Sequence, residues 1–152
     1  MRAQQLVTKK IKARYEIAKL NRELAKLALE EYREVIYPRD LATVGAEIKL
    51  AESDLARAED RLQWAKRMFE KKHISQKQKD SEELNRKKAV FALEQAQSKR
   101  AVLVDYTKSK SIKELLSAAE IAGVVELEKK VLLDLETSKE VELERQLRQK
   151  TN

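Results

Sequence analysis

LATVGAEIKLAESDLARAEDRLQWAKRMF, residues 41–69, is the stretch that decides the fold. Within it Leu41, Val44, Ile48, Ala51, Leu55, Ala58, Leu62, Ala65 and Phe69 recur at alternating spacings of three and four. That is an a/d heptad seam held over four repeats, the mark of a helix lying along one principal partner. Leu41, Ile48, Leu55, Leu62 and Phe69 form a row of large residues, and Val44, Ala51, Ala58 and Ala65 a row of small ones. Alternation of large and small lets two helix backbones approach closely. The intervening positions carry Glu47, Lys49, Glu52, Asp54, Arg57, Glu59, Asp60 and Arg61, so the apolar stripe is narrow and the remaining surface charged.

Working outward, the residues before and after this helix also read as helical. The first helix is expected over 4–37, with a main apolar stripe of Ala13, Ile17, Leu20, Leu24 and Leu27. A second stripe, Ala18, Ala25, Leu29, Tyr32 and Ile36, lies beside it. Pro38 is expected to end this helix, because proline disfavours helix in the residue before it and removes a backbone donor. Asp40 then reads as the N-cap of a second helix over 40–72, and Lys71-Lys72 suit its C-terminus. A turn is expected at 73–75, with Ser75 capping a third helix over 75–106 whose seam is Ala89, Leu93, Ala96 and Leu103. Arg100 interrupts that seam and must snorkel. The polar run Thr107-Lys108-Ser109-Lys110-Ser111 reads as a break, with Ser111 capping a fourth helix over 111–149. That helix starts its seam with Ile112, Leu116, Ala119 and Gly123 and continues, with a slipped phase, through Leu127, Val131, Leu135 and Ser138.

Pro38 lies 36 residues before Ile74, and Lys110 lies 36 residues after it. A chain that reverses at Ile74 brings its two breaks opposite each other. The expected fold is therefore all-α: residues 1–152 as one long antiparallel coiled-coil hairpin with one break per arm. Each arm extends for about 100 Å at 1.5 Å per residue. The alternative is that both arms bend at the shared break and fold into a compact four-helix bundle.

Composition narrows the function. The chain has 152 residues, of which 39% are charged and 5% aromatic, with two glycines, one proline and no cysteine. Hairpin turns of a sheet protein would consume more Gly and Pro. Without Cys there are no disulfides and no thiolate metal sites. With His73 the sole histidine, no His pair for zinc and no second imidazole for a relay exists. Gly45 and Gly123 cannot make a phosphate-cradling loop. Carboxylate pairs such as Glu59-Asp60 and Glu82-Glu83 lack a pocket that would raise a pKa. The expectation is a protein that is not an enzyme and needs no cofactor or metal. The charge-free stretches are far short of the ~20 residues that cross a bilayer. Residues 1–6 lack the apolar core of a secretory signal, so a complete chain would remain in the cytoplasm, whereas a piece of a longer protein could have lost its signal.

The segment from Leu41 to Tyr106 resembles the helical hairpin of hemolysin-D-type membrane fusion proteins, the periplasmic adaptors of bacterial efflux and secretion systems. The ascending arm of the resemblance is Glu47-Ile48, Ala51, Leu55, Arg57-Ala58, Leu62 and Ala65; the tip is Phe69-Glu70-Lys71-Lys72-His73-Ile74-Ser75 with Gln78 and Asp80; Ala89, Leu93 and Ala96 open the descending arm. The flanks Leu29–Glu34 and Tyr106-Thr107-Lys108 are similar to members with an unusually long hairpin. The resemblance implies a cell-envelope location and a hairpin tip that docks on a TolC-like outer-membrane channel or on neighbouring adaptor subunits. Many such members carry an Arg, a Leu and a Ser at fixed spacing around the tip. Here Ser75 stands at the Ser position, Met68 at the Leu position and Trp64 at the Arg position, while Lys72 replaces the common small residue before the turn. The lipoyl-like halves, the barrel and the membrane-proximal domain of the family have no counterpart in these residues.

The candidate partner-docking residues are accordingly Trp64, Met68, Lys72, His73, Ile74, Ser75 and Gln78. The surrounding residues 66–88 hold nine Lys/Arg against four Asp/Glu, more basic than the neighbouring segments of a chain whose net charge is +7. One reading is a basic tip that meets an acidic partner; the plainer one is a solvated, mixed-charge helix surface. Trp64 serves either as a docking anchor or as a cover for the seam. His73 reads as an exposed loop residue and Met68 as packing beside the seam. The expected function is a structural docking arm of an envelope transport assembly. The alternative is a generic soluble coiled-coil module, chaperone-like or RNA-binding, and self-association is compatible with both. Nucleic acid is disfavoured because the few aromatics are scattered rather than arrayed on one basic face.

Overall fold

The structure, a computed structural model, describes residues 2–152. Four α-helices follow one another: α1 (Arg2–Glu31), α2 (Tyr37–Glu70), α3 (Gln76–Val102) and α4 (Lys108–Thr151). Among the described residues there is no strand. The chain is a helical hairpin, as the seam of residues 41–69 requires. It comprises two compact units, one formed by Glu34–Lys110 and the other by residues 2–33 with Ser111–Asn152. The first contains the hairpin turn and is called the turn unit; the second contains both chain ends and is called the terminal unit.

Each arm has one irregularity, and neither is a break. Tyr32–Ile36 and Leu103–Thr107 are single π-helical turns, and the chain stays helical on both sides of each. Pro38 therefore does not end the first helix. A proline inside a helix presses its ring on the carbonyl four residues back, here Glu34, and leaves that carbonyl without a donor. The wider π-helical turn immediately before it accommodates both. Asp40 is not an N-cap: α2 starts without a side-chain cap, and the Asp40 carboxylate instead faces Arg39 at 3.8 Å. The polar run from Thr107 does not break the return arm either, and Ser111 sits inside α4. Spacing explains what the π-helical turns accomplish. Ile36 to Leu41 and Leu103 to Ser111 each span one residue more than a heptad seam allows, and a π-helical turn takes up one extra residue.

In the turn unit the predicted seam is the observed one. Val44, Ala51, Ala58, Leu62 and Ala65 of α2 are buried, with Ala65 fully so at 0% exposure, while Leu41, Ile48, Leu55 and Phe69 are half-buried beside them. The small row points into the partner helix and the large row wraps it. On the opposite side Ala89, Leu93 and Ala96 are half-buried, Leu103 is buried, and Arg100 turns outward as its seam position demanded. Lys99–Glu47 at 3.2 Å and Arg86–Glu59 at 3.9 Å tie the two helices antiparallel from outside the seam.

In the terminal unit only part of the expected seams is observed. Ala18 and Leu29 of α1 are buried, and Ile11, Tyr15, Arg22 and Ala25 are half-buried with them. The stripe that meets α4 is thus the one built on Ala18, Ala25 and Leu29. The expected main stripe, Ala13, Ile17, Leu20, Leu24 and Leu27, is exposed. In α4 the inward positions are Leu115, Ala119, Ala122, Glu126, Lys129, Leu133, Glu136 and Glu140. Of the expected α4 seam, Ile112, Ala119 and Gly123 are at least half-buried, whereas Leu116, Leu127, Val131, Leu135 and Ser138 face out. The physical reason is that small residues permit close approach, and that ions and amides entering the seam face partners across it. Arg22 pairs with Glu126, and Gln4 donates to Glu136 at 2.8 Å.

Candidate functional site at the hairpin turn

Five residues, Lys71 to Ser75, reverse the chain. The reversal is closed by two local motifs. At the end of α2 the His73 N–H donates to the Met68 carbonyl at 2.8 Å and the Lys72 N–H to the Phe69 carbonyl at 2.9 Å. That pair of bonds is a Schellman motif, whose penultimate residue must adopt a left-handed backbone. Here that residue is Lys72, with φ 62°. A lysine in this conformation is strained where a glycine would not be. The position at which the resemblance expects a small residue is therefore one where the backbone itself asks for glycine.

At the start of α3, Ser75 is the N-cap, as its sequence position predicted. Its Oγ accepts from the Gln78 N–H at 3.2 Å, and the Ser75 N–H donates to Gln78 Oε1 at 2.9 Å. This reciprocal capping box satisfies two amides that the first turn of a helix otherwise leaves unpaired. Ser75 and Gln78, both candidates for docking, are thus engaged in holding the turn. Any variant at these two positions alters the cap as well as the surface.

The remaining candidates line the approach to the turn. Trp64 is 49% exposed. Met68, one helical turn later on the same face, is half-buried, and so is Ile74 in the reversal itself. Lys72 and His73 are exposed. The Lys79 ammonium lies over the Phe69 ring, 4.8 Å from its centroid, which pins the last turn of α2 to the first turns of α3. Lys66, Arg67, Lys71 and Lys77 are exposed around this frame. Trp64 and Met68 thus lie one helical turn apart on α2, ahead of the reversal that holds Ile74, with a dense set of exposed cations around them.

Sequence reasoning missed one surface feature. In the turn unit an open groove of about 470 Å³ lies beside the π-helical turn Leu103–Thr107, lined by Asp40, Thr43, Val44, Lys99, Val102 and Leu103. No motif marks it; its one trace in the sequence is the extra residue between Leu103 and Ser111.

Among the described residues no group of three His, Cys, Asp or Glu side chains is placed to hold a metal ion. None of the described helices is long and apolar enough to cross a membrane. Comparison of the chain with protein-family models, with curated proteins and with solved structures finds no match in any of the three.

Proposed function

We propose that this chain is a docking arm, without chemistry of its own, that serves a bacterial envelope transport or secretion adaptor and presents its hairpin turn to an acidic protein partner such as the periplasmic end of an outer-membrane channel. The observation that carries the reading is the construction of the turn. The capping box and the Schellman closure, which are common ways to end helices, hold this reversal in one shape, and the half-exposed Trp64 beside it is what a plain connection would not need. Here all three converge at one end, where rigidity lowers the entropy lost on docking. A half-exposed Trp is the residue type most often found as an interface anchor. The surrounding cations speed encounter with an acidic surface and fade with salt.

The test is binding of the full chain to a purified outer-membrane channel of this class, with variants that spare the cap. Trp64→Ala and Ile74→Asp are expected to weaken capture by tenfold or more, about 1.4 kcal/mol, with unchanged helicity. Ser75→Asp, which keeps an N-cap oxygen but sets a negative charge in the basic tip, is expected to weaken capture as well, again with unchanged helicity. Equal binding by Trp64→Ala and Ile74→Asp, with loss on removing Lys or Arg along the arms, would turn the reading toward a generic coiled-coil or RNA-binding module.

A further inference from the structure

We infer that the terminal unit is a self-association surface, in which the outward face of α1 on one copy packs against the outward face of α4 on a second copy of this chain. The inference stands on the faces of this unit alone and does not depend on what the turn meets.

The α1 face consists of Ile17, Leu20, Leu24 and Leu27, between 54% and 59% exposed, extended by the exposed Ala13. The α4 face consists of Ile121, Val124, Leu127, Val131 and Leu135, between 51% and 63% exposed. At 3.6 residues per turn the α1 stripe points nearly opposite to the seam of Ala18 and Leu29. The α4 stripe likewise points away from Ala119. The unit therefore has two apolar edges facing in opposite directions, while its own seam contains Arg22, Glu126 and Glu136. Single exposed aliphatics are ordinary; two contiguous stripes are not.

The spacing of the α1 stripe, alternating four and three, suits a helix as its occupant, because knobs at that repeat fit the holes of a facing helix. The α4 edge of a second copy is such a helix. The Arg22–Glu126 pair places Ala13–Leu27 alongside Ile121–Leu135, so the two edges lie at the same level of the unit. Copies set side by side cover both edges without sliding. In that register Lys12, Glu16 and Lys26 on the flank of the α1 stripe come within about one turn of Asp134, Lys130 and Glu120 on the flank of α4, opposite charges at each level. An antiparallel α1–α1 contact instead sets the row Glu16, Glu23 and Glu30 against itself and leaves the α4 edge bare. The stripe covers about 21 Å of helix, which puts the contact near the lower end of specific interfaces, about 1,000 Å². Association is therefore concentration-dependent, and being head-to-tail in kind it extends beyond a dimer.

Sedimentation of the full chain over a range of concentrations tests this. The parent is expected to associate progressively. Leu20→Glu and Leu127→Glu are each expected to be monomeric over that range, with a self-affinity lowered roughly tenfold or more, and circular dichroism should show their helicity retained. Mixed one to one, the two variants should stop at a dimer, because the first keeps an intact α4 edge and the second an intact α1 edge. A parent that stays monomeric up to its solubility limit overturns the inference. So does a Leu127→Glu variant that associates like the parent, which would assign the contact to α1 with α1. A monomeric parent that instead binds neutral phosphatidylcholine vesicles would overturn it by giving the stripes to lipid.

Discussion

The two units are built from the same kind of helix with opposite patterning. In the turn unit the seam between the helices is aliphatic and alanine and the ions lie outside it, with Leu50, Leu84 and Phe91 exposed singly. In the terminal unit ions and amides enter the seam, and the large aliphatics lie outside. Burial of apolar area is what stabilises a helix pair in water, at about 25 cal/mol per Å², whereas half-exposed ion pairs contribute little. The terminal unit has left most of its available hydrophobic stabilisation unused on its outer surfaces. The difference shows that an amphipathic stripe identifies a face that wants covering, not the helix that covers it.

The sharpest way to break this comparison is to make the same kind of deletion on both sides. Leu62→Ala, inside the turn unit, is expected to cost about 2 kcal/mol or more because it removes buried methyl groups and leaves a void. Leu24→Ala, an equal truncation on the outward face of α1, is expected to cost less than about 0.5 kcal/mol in dilute monomer. Denaturant midpoints of the two variants measure both. Similar losses at both sites would mean that the outward stripe is covered within the single chain, and the contrast would fail.

Smaller effects sharpen it. Lys72→Gly relieves the left-handed strain at the turn and is expected to stabilise by about 1 kcal/mol. Gly123→Ala in α4 is expected to stabilise by a similar amount, about 1 kcal/mol: a Cβ there meets nothing within 4 Å, so the glycine serves no close approach. Thermal melts report both, and destabilisation by Gly123→Ala would show that a neighbour does press on that position.

The smallest effect is electrostatic. Glu136 is held below the usual carboxylate range, chiefly by the Gln4 amide that donates to it and then by Lys139. A lowered pKa favours the folded state above the unfolded value and ceases to do so as pH falls through the folded one. Gln4→Ala should therefore lower the melting temperature slightly at neutral pH and not at all once the carboxylate is protonated. An equal loss at both pH values would remove the polar seam from the account.

These residues also show how far the sequence could be read. The seam of α2 was legible because that helix has one apolar stripe and hence one choice of partner face. The first helix has two, and the rule that favours larger side chains chose Ile17, Leu20, Leu24 and Leu27. The contact with α4 is made by Ala18, Ala25 and Leu29, a tertiary decision that single-helix periodicity does not contain. Pro38 was read by its local effect, but a π-helical turn before it absorbs that effect. At the turn, Ser75 with Gln78 three residues on is a capping signature and was legible as a cap. The left-handed Lys72 was not, since nothing about lysine announces that conformation.

The account depends most on the inverted patterning of the two units, and amide hydrogen exchange of the full chain at low and high protein concentration tests it most directly. The expected result is slow exchange in α2 and α3 at every concentration, together with fast exchange in α1 and α4 that slows as concentration rises. Uniform, concentration-independent protection across all four helices would contradict it.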